Sequence, residues 1–164
     1  MRKIFQAIAV ITVFASATLS MAQPPKGPPA PAVHAHPEHG PHGGDLIELG
    51  KEEYHLELLH DEKAGVVAFF LLDSSAKKIL AIPAKEIYVN VKDAGKGKQY
   101  KIAPSPQAND PKDNFSCYAT KDKELIGLLD KHGIQASVMI TIGAKQYLGK
   151  VEHHHHHDHG PAKK

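Results

Sequence analysis

The chain contains very little cysteine: Cys117 is the single one among 164 residues. One cysteine excludes an internal disulfide, although an exported compartment would permit such a bond. Strand-like alternation puts Cys117 on the same side as Phe115 and Ala119, which predicts a small buried hydrophobic residue. A soft thiolate ligand and an intermolecular disulfide are the alternatives.

An excess of charge of one sign is also missing. The sequence carries 20 Lys plus Arg and 18 Asp plus Glu. Two of the cations, Arg2 and Lys3, lie in a segment that we expect to be removed, which leaves 18 cations against 18 anions. Nucleic acids and anionic membranes attract a basic surface, so neither is an expected partner.

Motifs that carry catalysis are absent as well. The sequence has no nucleophile elbow, no phosphate-binding glycine loop and no helix with paired zinc-binding histidines. A hydrolytic metal site needs three fixed ligands, an open position and a positioned base, and tail segments do not hold groups that tightly. We therefore expect a protein that is not an enzyme and has no catalytic residue.

The first 22 residues have the pattern of a secretory signal peptide. Two cations precede an apolar run, Ile4 to Leu19, and Ser20-Met21-Ala22 supplies the small residues for cleavage after Ala22. The run is short for a membrane span, and no cysteine follows it to accept a lipid. An uncleaved anchor is the alternative. We expect a mature protein that is soluble and periplasmic or secreted.

Histidine, by contrast, is abundant, with 13 residues, and most of them lie in two clusters near the ends. Neutral imidazole is a nitrogen ligand that suits copper, zinc, nickel and cobalt, so the expected cofactor is a divalent transition metal of open identity. The predicted ligands are His34, His36, His39 and His42 in the first cluster and His153, His154, His155, His156, His157, Asp158 and His159 in the second.

The two clusters have different alternative interpretations. Adjacent imidazoles in residues 153–159 can supply about two to four nitrogens to one ion, and a purification tag is the alternative. The interruption by Asp158 and the continuation to Lys164 favour a natural tail. The first cluster lies in a Pro- and His-rich segment, residues 23–42, whose alternative is a solvated linker without metal. His42 is its strongest candidate because it adjoins the folded domain.

Residues 43–152 have the pattern of one β-rich domain, followed by a tail of residues 153–164. Short alternating runs predict strands at 45–49, 53–60, 66–72, 87–92, 99–102, 115–120, 134–142 and 146–151. A short helix is predicted within 122–132, capped by Asp122 and closed by Gly133. This pattern favours an all-β, antiparallel, immunoglobulin-like sandwich of seven to eight strands, with a small open barrel as the alternative.

Three histidines lie inside the domain. His55 is predicted on the polar, exposed face of its strand beside Glu57. His60 lies at a strand end, where residues 61–62, both acidic, can join it in a site of nitrogen and carboxylate ligands. Both histidines are secondary candidate metal ligands, whereas His132 is predicted to cap the helix C-terminus and not to bind metal.

The stretch from Pro41 to Asp61 resembles a known family. It contains His42-Gly43-Gly44, then Leu49-Gly50, then Tyr54-His55-Leu56-Glu57-Leu58. These motifs resemble the small periplasmic domain at the start of heavy-metal efflux adaptor (membrane fusion) proteins, which also occurs as stand-alone exported proteins. The resemblance implies periplasmic metal handling and falls on His42. The chain has no room for the helical hairpin and lipoyl-like domain of such adaptors, so a pump subunit is not implied.

Two functions are consistent with these patterns. The first is an exported protein that buffers, carries or delivers a transition metal, with a metal efflux system or another exported protein as partner. The second is an extracytoplasmic scaffold that binds a protein. Its histidines would then be solvated surface residues whose charge changes with pH. If the first and last strands are antiparallel neighbours, both histidine clusters leave the domain at one end and can share a site; parallel neighbours would put them at opposite ends.

Overall fold

The computed structural model describes residues 37, 39–61 and 63–152. Within them the chain forms eight strands and one short helix. These are β1 (Asp45–Leu49), β2 (Tyr54–Asp61), β3 (Val66–Leu72), β4 (Ile87–Asp93), β5 (Lys96–Ile102), β6 (Cys117–Thr120), α1 (Lys123–Leu129), β7 (Gln135–Ile142) and β8 (Lys145–Val151). The predicted signal peptide, His34, His36 and residues 153–164 lie outside the described residues.

The strands form two four-stranded sheets. Sheet 1 has the order β1-β2-β3-β6, and sheet 2 has the order β5-β4-β7-β8. All pairings are antiparallel. The inward-facing side chains of both sheets form one apolar core. The predicted all-β, antiparallel sandwich of seven to eight strands with one short helix is therefore confirmed.

Alternation along the strands separates this core from the outer face of each sheet. β2 sends Leu56 and Leu58 into the core, and β3 sends Phe69 and Leu71, all of which are buried. Since successive side chains of a strand point to opposite faces, the residues between these core positions form the outer face of sheet 1. That face includes His55, Glu57 and Phe70, as well as Cys117 opposite Phe70.

Two strand boundaries differ by more than one residue from the predicted ones, because of local backbone geometry. β5 begins at Lys96, earlier than predicted, since Ala94 (φ 46°) and Gly95 (φ 83°) complete the turn by themselves. Positive φ at both central residues is the signature of a two-residue hairpin. β6 begins only at Cys117, because Phe115 forms an isolated bridge with Ile82 instead.

The helix α1 begins as predicted and ends early. Asp122 is its N-cap: Oδ1 accepts hydrogen bonds from the backbone N–H of Glu124 at 2.9 Å and of Leu125 at 3.1 Å. The helix ends at Leu129, and Gly133, with φ 80°, turns the chain toward β7. Over residues 37, 39–61 and 63–152, no helix has the length and apolar character needed to cross a bilayer.

The first and last strands are neighbours at one edge of the sandwich. A Cβ atom on Gly149 would lie 2.5 Å from Ile47 Cγ2 and 2.8 Å from the Glu48 carbonyl oxygen, so glycine allows β8 to approach β1 closely. Toward one end, the Tyr147 hydroxyl donates to Glu53 Oε2 at 2.8 Å, beyond the last residue of β1.

At the other end of this edge, Leu46 and Glu152 border one groove. Residue numbers therefore rise along β8 as they fall along β1, and the two strands run antiparallel. The start of β1 and the end of β8 lie at the same end of the domain, which is the arrangement that a shared histidine site requires.

Candidate metal centre

The outer face of sheet 1 is buried where the sequence predicted exposure. His55 and Glu57 retain only 1% and 0% of their accessible surface. The prediction that His55 is an exposed strand histidine is therefore wrong. Alternation correctly placed both residues opposite the core, but it carried no information about the chain segments that pack over this face.

The Glu57 carboxylate is fully buried and is held by the segment Gly40–Gly44. Oε1 accepts hydrogen bonds from the backbone N–H of His42 at 2.7 Å and of Gly44 at 2.9 Å. Oε2 lies 2.7 Å from His42 Nδ1. A buried carboxylate is costly unless donors compensate it, and three donors surround this one.

The segment Gly40–Gly44 closes over Glu57 because its glycines permit close contact. The N–H of Gly43 donates to the carbonyl of Gly40 at 3.0 Å, which forms a turn with Pro41 in its second position. A Cβ atom would lie 2.4 Å from Glu57 Cδ at Gly40, and 2.4 Å from the Leu58 carbonyl oxygen at Gly44. No side chain larger than hydrogen fits either position without displacing the segment.

The His42 ring is fixed in orientation by two contacts. It stacks on Phe70, with ring centroids 4.1 Å apart and planes inclined by 29°. Because the Glu57 carboxylate only accepts hydrogen bonds, Nδ1 carries the proton and Nε2 carries the lone pair. The side chain is 34% exposed. Metal-binding histidines have this arrangement, in which a carboxylate holds one ring nitrogen and the other binds the ion.

His39 lies close to the same segment and is less firmly fixed. Its backbone forms an isolated antiparallel bridge with Asp45, and its Nδ1 is 3.8 Å from Asp45 Oδ1. Its side chain is 35% exposed. The wider separation makes this pair a weaker orienting contact than the 2.7 Å contact of His42.

His55 and His60 do not come together. His55 lies on the outer face of sheet 1, where Nδ1 donates to the Asp73 carbonyl at 3.1 Å. His60 lies on the opposite side of β2, since the two positions differ by five, an odd number, along an alternating strand. The structure thus gives no support to a common core site for this pair.

His60 is paired with a different carboxylate from the predicted ones. Its Nδ1 is 2.9 Å from Asp130 Oδ1, just beyond the end of α1. Asp61 points away on the other face of β2 and accepts from the N–H of Ala64 at 2.9 Å. Glu62 lies outside the described residues. Strand alternation, which the prediction overlooked, separates His60 from Asp61.

Cys117 is buried, as predicted, with 2% of its surface exposed. Burial, with a further contribution from the negative charge of Asp110, raises the pKa of its thiol to about 11. The group is therefore a neutral thiol at pH 7. Metal binding requires the thiolate, so this environment disfavours Cys117 as a ligand.

The described part of the chain contains no cluster of three or more His, Cys, Asp or Glu side chains arranged to hold a metal ion. His42 contributes one oriented nitrogen, whereas zinc sites use three or four protein ligands. The remaining predicted ligands, His34, His36 and those in residues 153–159, fall outside the described residues.

Sequence reasoning missed the role of Glu57. Its position in an alternating strand suggested an exposed residue, yet its carboxylate organises the whole segment before β1. The signal that could have revealed it is the density of glycine in Gly40–Gly44, since glycines mark places where backbone approaches another group closely.

Comparison with protein-family models, with curated proteins and with solved structures finds no match. The resemblance to the adaptor domain over Pro41–Asp61 therefore stays a prediction. Three residues of the motifs that carry this resemblance contact one another through the hydrogen bonds described above. They are His42, Gly44 and Glu57.

Proposed function

We propose that this protein is an exported, periplasmic metal-binding protein that buffers, carries or delivers a divalent transition metal such as copper, zinc, nickel or cobalt. The observation that carries the proposal is the His42–Glu57 pair. A buried carboxylate holds Nδ1 of a partly exposed histidine, so that its Nε2 offers a lone pair to a metal ion.

The chemistry of the donors supports transition metals over calcium or magnesium. Imidazole nitrogen suits copper, nickel, zinc and cobalt, whereas the hard cations prefer oxygen ligands. Affinity for a nitrogen site generally rises toward copper, with nickel and zinc below it. The ion would be held by His42 together with histidines of the two clusters, and its chemistry there would be binding and release.

Reversible release follows from the same donors. Imidazole binds a metal only when neutral, and an unperturbed histidine takes up a proton near pH 6.5. A site built from several histidines therefore loses its ion over a narrow acidic range. A link to heavy-metal efflux or resistance, with an efflux system as partner, is part of the proposal and rests on the motif resemblance.

A protein-binding scaffold is the second candidate, and the outer face of sheet 2 favours it. This face is open: Leu148 is 61% exposed and pairs in register with Met139. Lys92 and Lys150 border the same open groove. An apolar pair flanked by lysines is a surface that can accept a partner protein.

Calorimetric titration separates the two candidates. Residues 23–164, the expected mature chain, are titrated with copper(II), zinc and nickel at pH 7.4 and at pH 5.5. A chain that ends at Glu152 keeps all eight strands and serves as the control. Metal handling predicts binding at micromolar concentrations or tighter at pH 7.4, with a large loss at pH 5.5 and on truncation.

The contrary result is equally specific. Binding no tighter than that of an unstructured histidine peptide would contradict the metal-handling function. The outer face of sheet 2 would then be the candidate functional surface, and Leu148→Gln there should weaken binding of a protein partner and leave metal affinity unchanged.

A further inference from the structure

We infer that the outer face of sheet 2 is a docking surface for an acidic, extended segment of a partner protein. Two grooves that share Ile134, Lys150 and Val151 form this surface, the sheet 2 groove. The inference rests on the second candidate function and gives its partner a chemical identity. It does not depend on metal binding, since His42 stacks on Phe70 at the outer face of the other sheet.

The side chains around the sheet 2 groove carry an excess of positive charge. The described residues that line it include four lysines, one histidine and one carboxylate, namely Lys92, Lys98, Lys131, Lys150, His132 and Glu152. The whole chain is nearly balanced, with 20 Lys plus Arg against 18 Asp plus Glu. A local excess of cations attracts an anionic partner to this part of the surface.

The strands beneath the groove present no carboxylate on their outward side. Alternation along β4, β5, β7 and β8, all described in full, puts Lys92, Lys101 and Lys150 on this face and no Asp or Glu. A symmetric dimer uses the same patch on both copies, so it would set these lysines against each other. A second copy of this chain is therefore a poor occupant, and an acidic partner is a complementary one.

Two of the lysines are available to a partner carboxylate. Over residues 37, 39–61 and 63–152, Lys92 forms no ion pair. Lys150 lies 2.7 Å from Glu152, and the two side chains are 77% and 56% exposed. Ion pairs this exposed contribute little stability, so an incoming carboxylate can replace Glu152.

Polar side chains cross all four strands of the face in one row. Asn90 is the register partner of both Gln99 and Ser137, and Ser137 is the partner of Lys150. Gln99 Nε2 donates to Asn90 Oδ1 at 2.8 Å, so the Gln99 carbonyl and the Asn90 amino group can bind a ligand. These acceptors and donors match the N–H and C=O groups of an extended backbone.

An apolar contact lies beside this polar row. Leu148, which is 61% exposed, is the register partner of Met139, and Met139 is that of Tyr88. Leu148 also lines the sheet 2 groove. In an extended segment, alternate side chains face the same way, so an apolar residue can cover Leu148 while acidic residues reach the lysines.

Phosphate-bearing partners fit this surface less well. Planar guanidinium groups bind phosphate in a bidentate manner, and the only arginine of the sequence is Arg2, in the predicted signal peptide. The amide row and Leu148 have no counterpart in a phosphate backbone. A polypeptide with carboxylates is therefore favoured over a nucleic acid.

The experiment is a set of ¹H–¹⁵N NMR titrations of residues 23–164. The probe is an eight-residue peptide of alternating Glu and Val, since Val favours an extended backbone. An alternating Lys and Val peptide and a DNA oligonucleotide of equal charge are the comparison ligands. The variant combines Lys92→Gln with Lys150→Gln. Its matched control combines Lys77→Gln with Lys78→Gln, at two exposed lysines in the turn after β3.

Docking of an acidic segment predicts a localised, charge-dependent response. The Glu and Val peptide shifts the backbone signals of β7 and β8 and leaves that of His42 unchanged. The variant weakens the affinity by roughly 10-fold and the control by less than about 2-fold. Raising the salt concentration from about 50 to about 500 mM weakens binding by a similar factor, because exposed charges are screened.

Four results would overturn the inference. No shift on sheet 2 with either peptide would contradict it together with the scaffold function. Equal affinity for the Lys and Val peptide would contradict an acidic partner and leave the scaffold function standing. Tighter binding of the oligonucleotide would assign the groove to nucleic acid. An equal loss in the control would show that the attraction is not specific to this face.

Discussion

The two sheets of the sandwich have outer faces of opposite character. On sheet 1, the segment Gly40–Gly44 packs over the strands and buries Glu57, and His55 is equally buried beside it. On sheet 2, the outward positions are half-buried or exposed, and Leu148 is 61% exposed. Both faces belong to antiparallel sheets on one core, so the strands alone do not account for the difference.

The segment Gly40–Gly44 gives the outer face of sheet 1 a buried, hydrogen-bonded carboxylate and an oriented histidine. A carboxylate on an open face like that of sheet 2 would be solvated. Its interactions with neighbouring side chains would then be weak. Beneath His42 and Gly44 the Glu57 carboxylate is removed from water, and its hydrogen bonds fix the position of an imidazole. The proposed function therefore rests on the covered face, and the variants below test this contrast.

Gly44→Ala should have the largest effect on stability. The new Cβ atom would lie 2.4 Å from the Leu58 carbonyl oxygen, so the covering segment must move away. We expect a loss of about 3 kcal/mol in the free energy of unfolding, measured by urea denaturation. Gly97→Ala is the control on sheet 2, where a Cβ atom meets nothing within 4 Å. A change of more than about 1 kcal/mol in the control would contradict the contrast.

Glu57→Gln should have the next largest effect. The amide oxygen can still accept from the N–H groups of His42 and Gly44, but its NH₂ group faces Nδ1, and the ring must move its proton to Nε2. We expect a loss of about 2 kcal/mol in stability and roughly 10-fold in metal affinity. Glu48→Gln, at an exposed position of β1, should change the stability by less than about 0.5 kcal/mol.

Cys117 should react slowly in the native protein. Burial, with the charge of Asp110, raises the pKa of its thiol from 9.0 to about 11, so the thiolate fraction at pH 8 falls about 100-fold. Alkylation should be correspondingly slower in buffer than in 8 M urea, about the concentration that unfolds small domains. Alkylation at equal rates would show that this part of sheet 1 is open.

The same shift makes stability depend on pH. Because the pKa of the thiol is higher in the folded state, its contribution to the free energy of unfolding is complete below about pH 9 and is lost as the pH rises toward 11. Cys117→Ser should abolish this part of the pH dependence.

Leu148→Gln should have the smallest effect. The side chain lies on the open face of sheet 2 and contributes little to the core, so the free energy of unfolding should change by less than about 0.5 kcal/mol. A loss of 2 kcal/mol or more in denaturation experiments would show that this face is covered in solution.

The fold could be predicted from sequence because its determinants are local. Alternation in Ile87, Val89 and Val91 identified β4, and Asp122 identified the start of α1. Positions of turns also followed from glycine. Each of these signals depends on neighbours within a few residues, which a single sequence contains.

The candidate site was predicted only in part, because its contacts are distant in sequence. His42 was singled out, but its partner Glu57 lies 15 residues away, and its stacking partner Phe70 lies on a further strand. Alternation alone predicted an exposed His55, and closeness in sequence suggested a joint site of His60 with Asp61. The burial of His55 and the pairing of His60 with Asp130 depend on how segments pack after folding.

The orientation of the His42 ring is the most direct test. Long-range ¹H–¹⁵N spectra of residues 23–164 report which ring nitrogen carries the proton, and a zinc titration reports which nitrogen binds. We predict that His42 carries its proton on Nδ1 and that one equivalent of zinc shifts the Nε2 signal. A proton on Nε2, or an Nε2 signal unchanged while the tail histidines respond, would contradict a metal site built on His42 and Glu57.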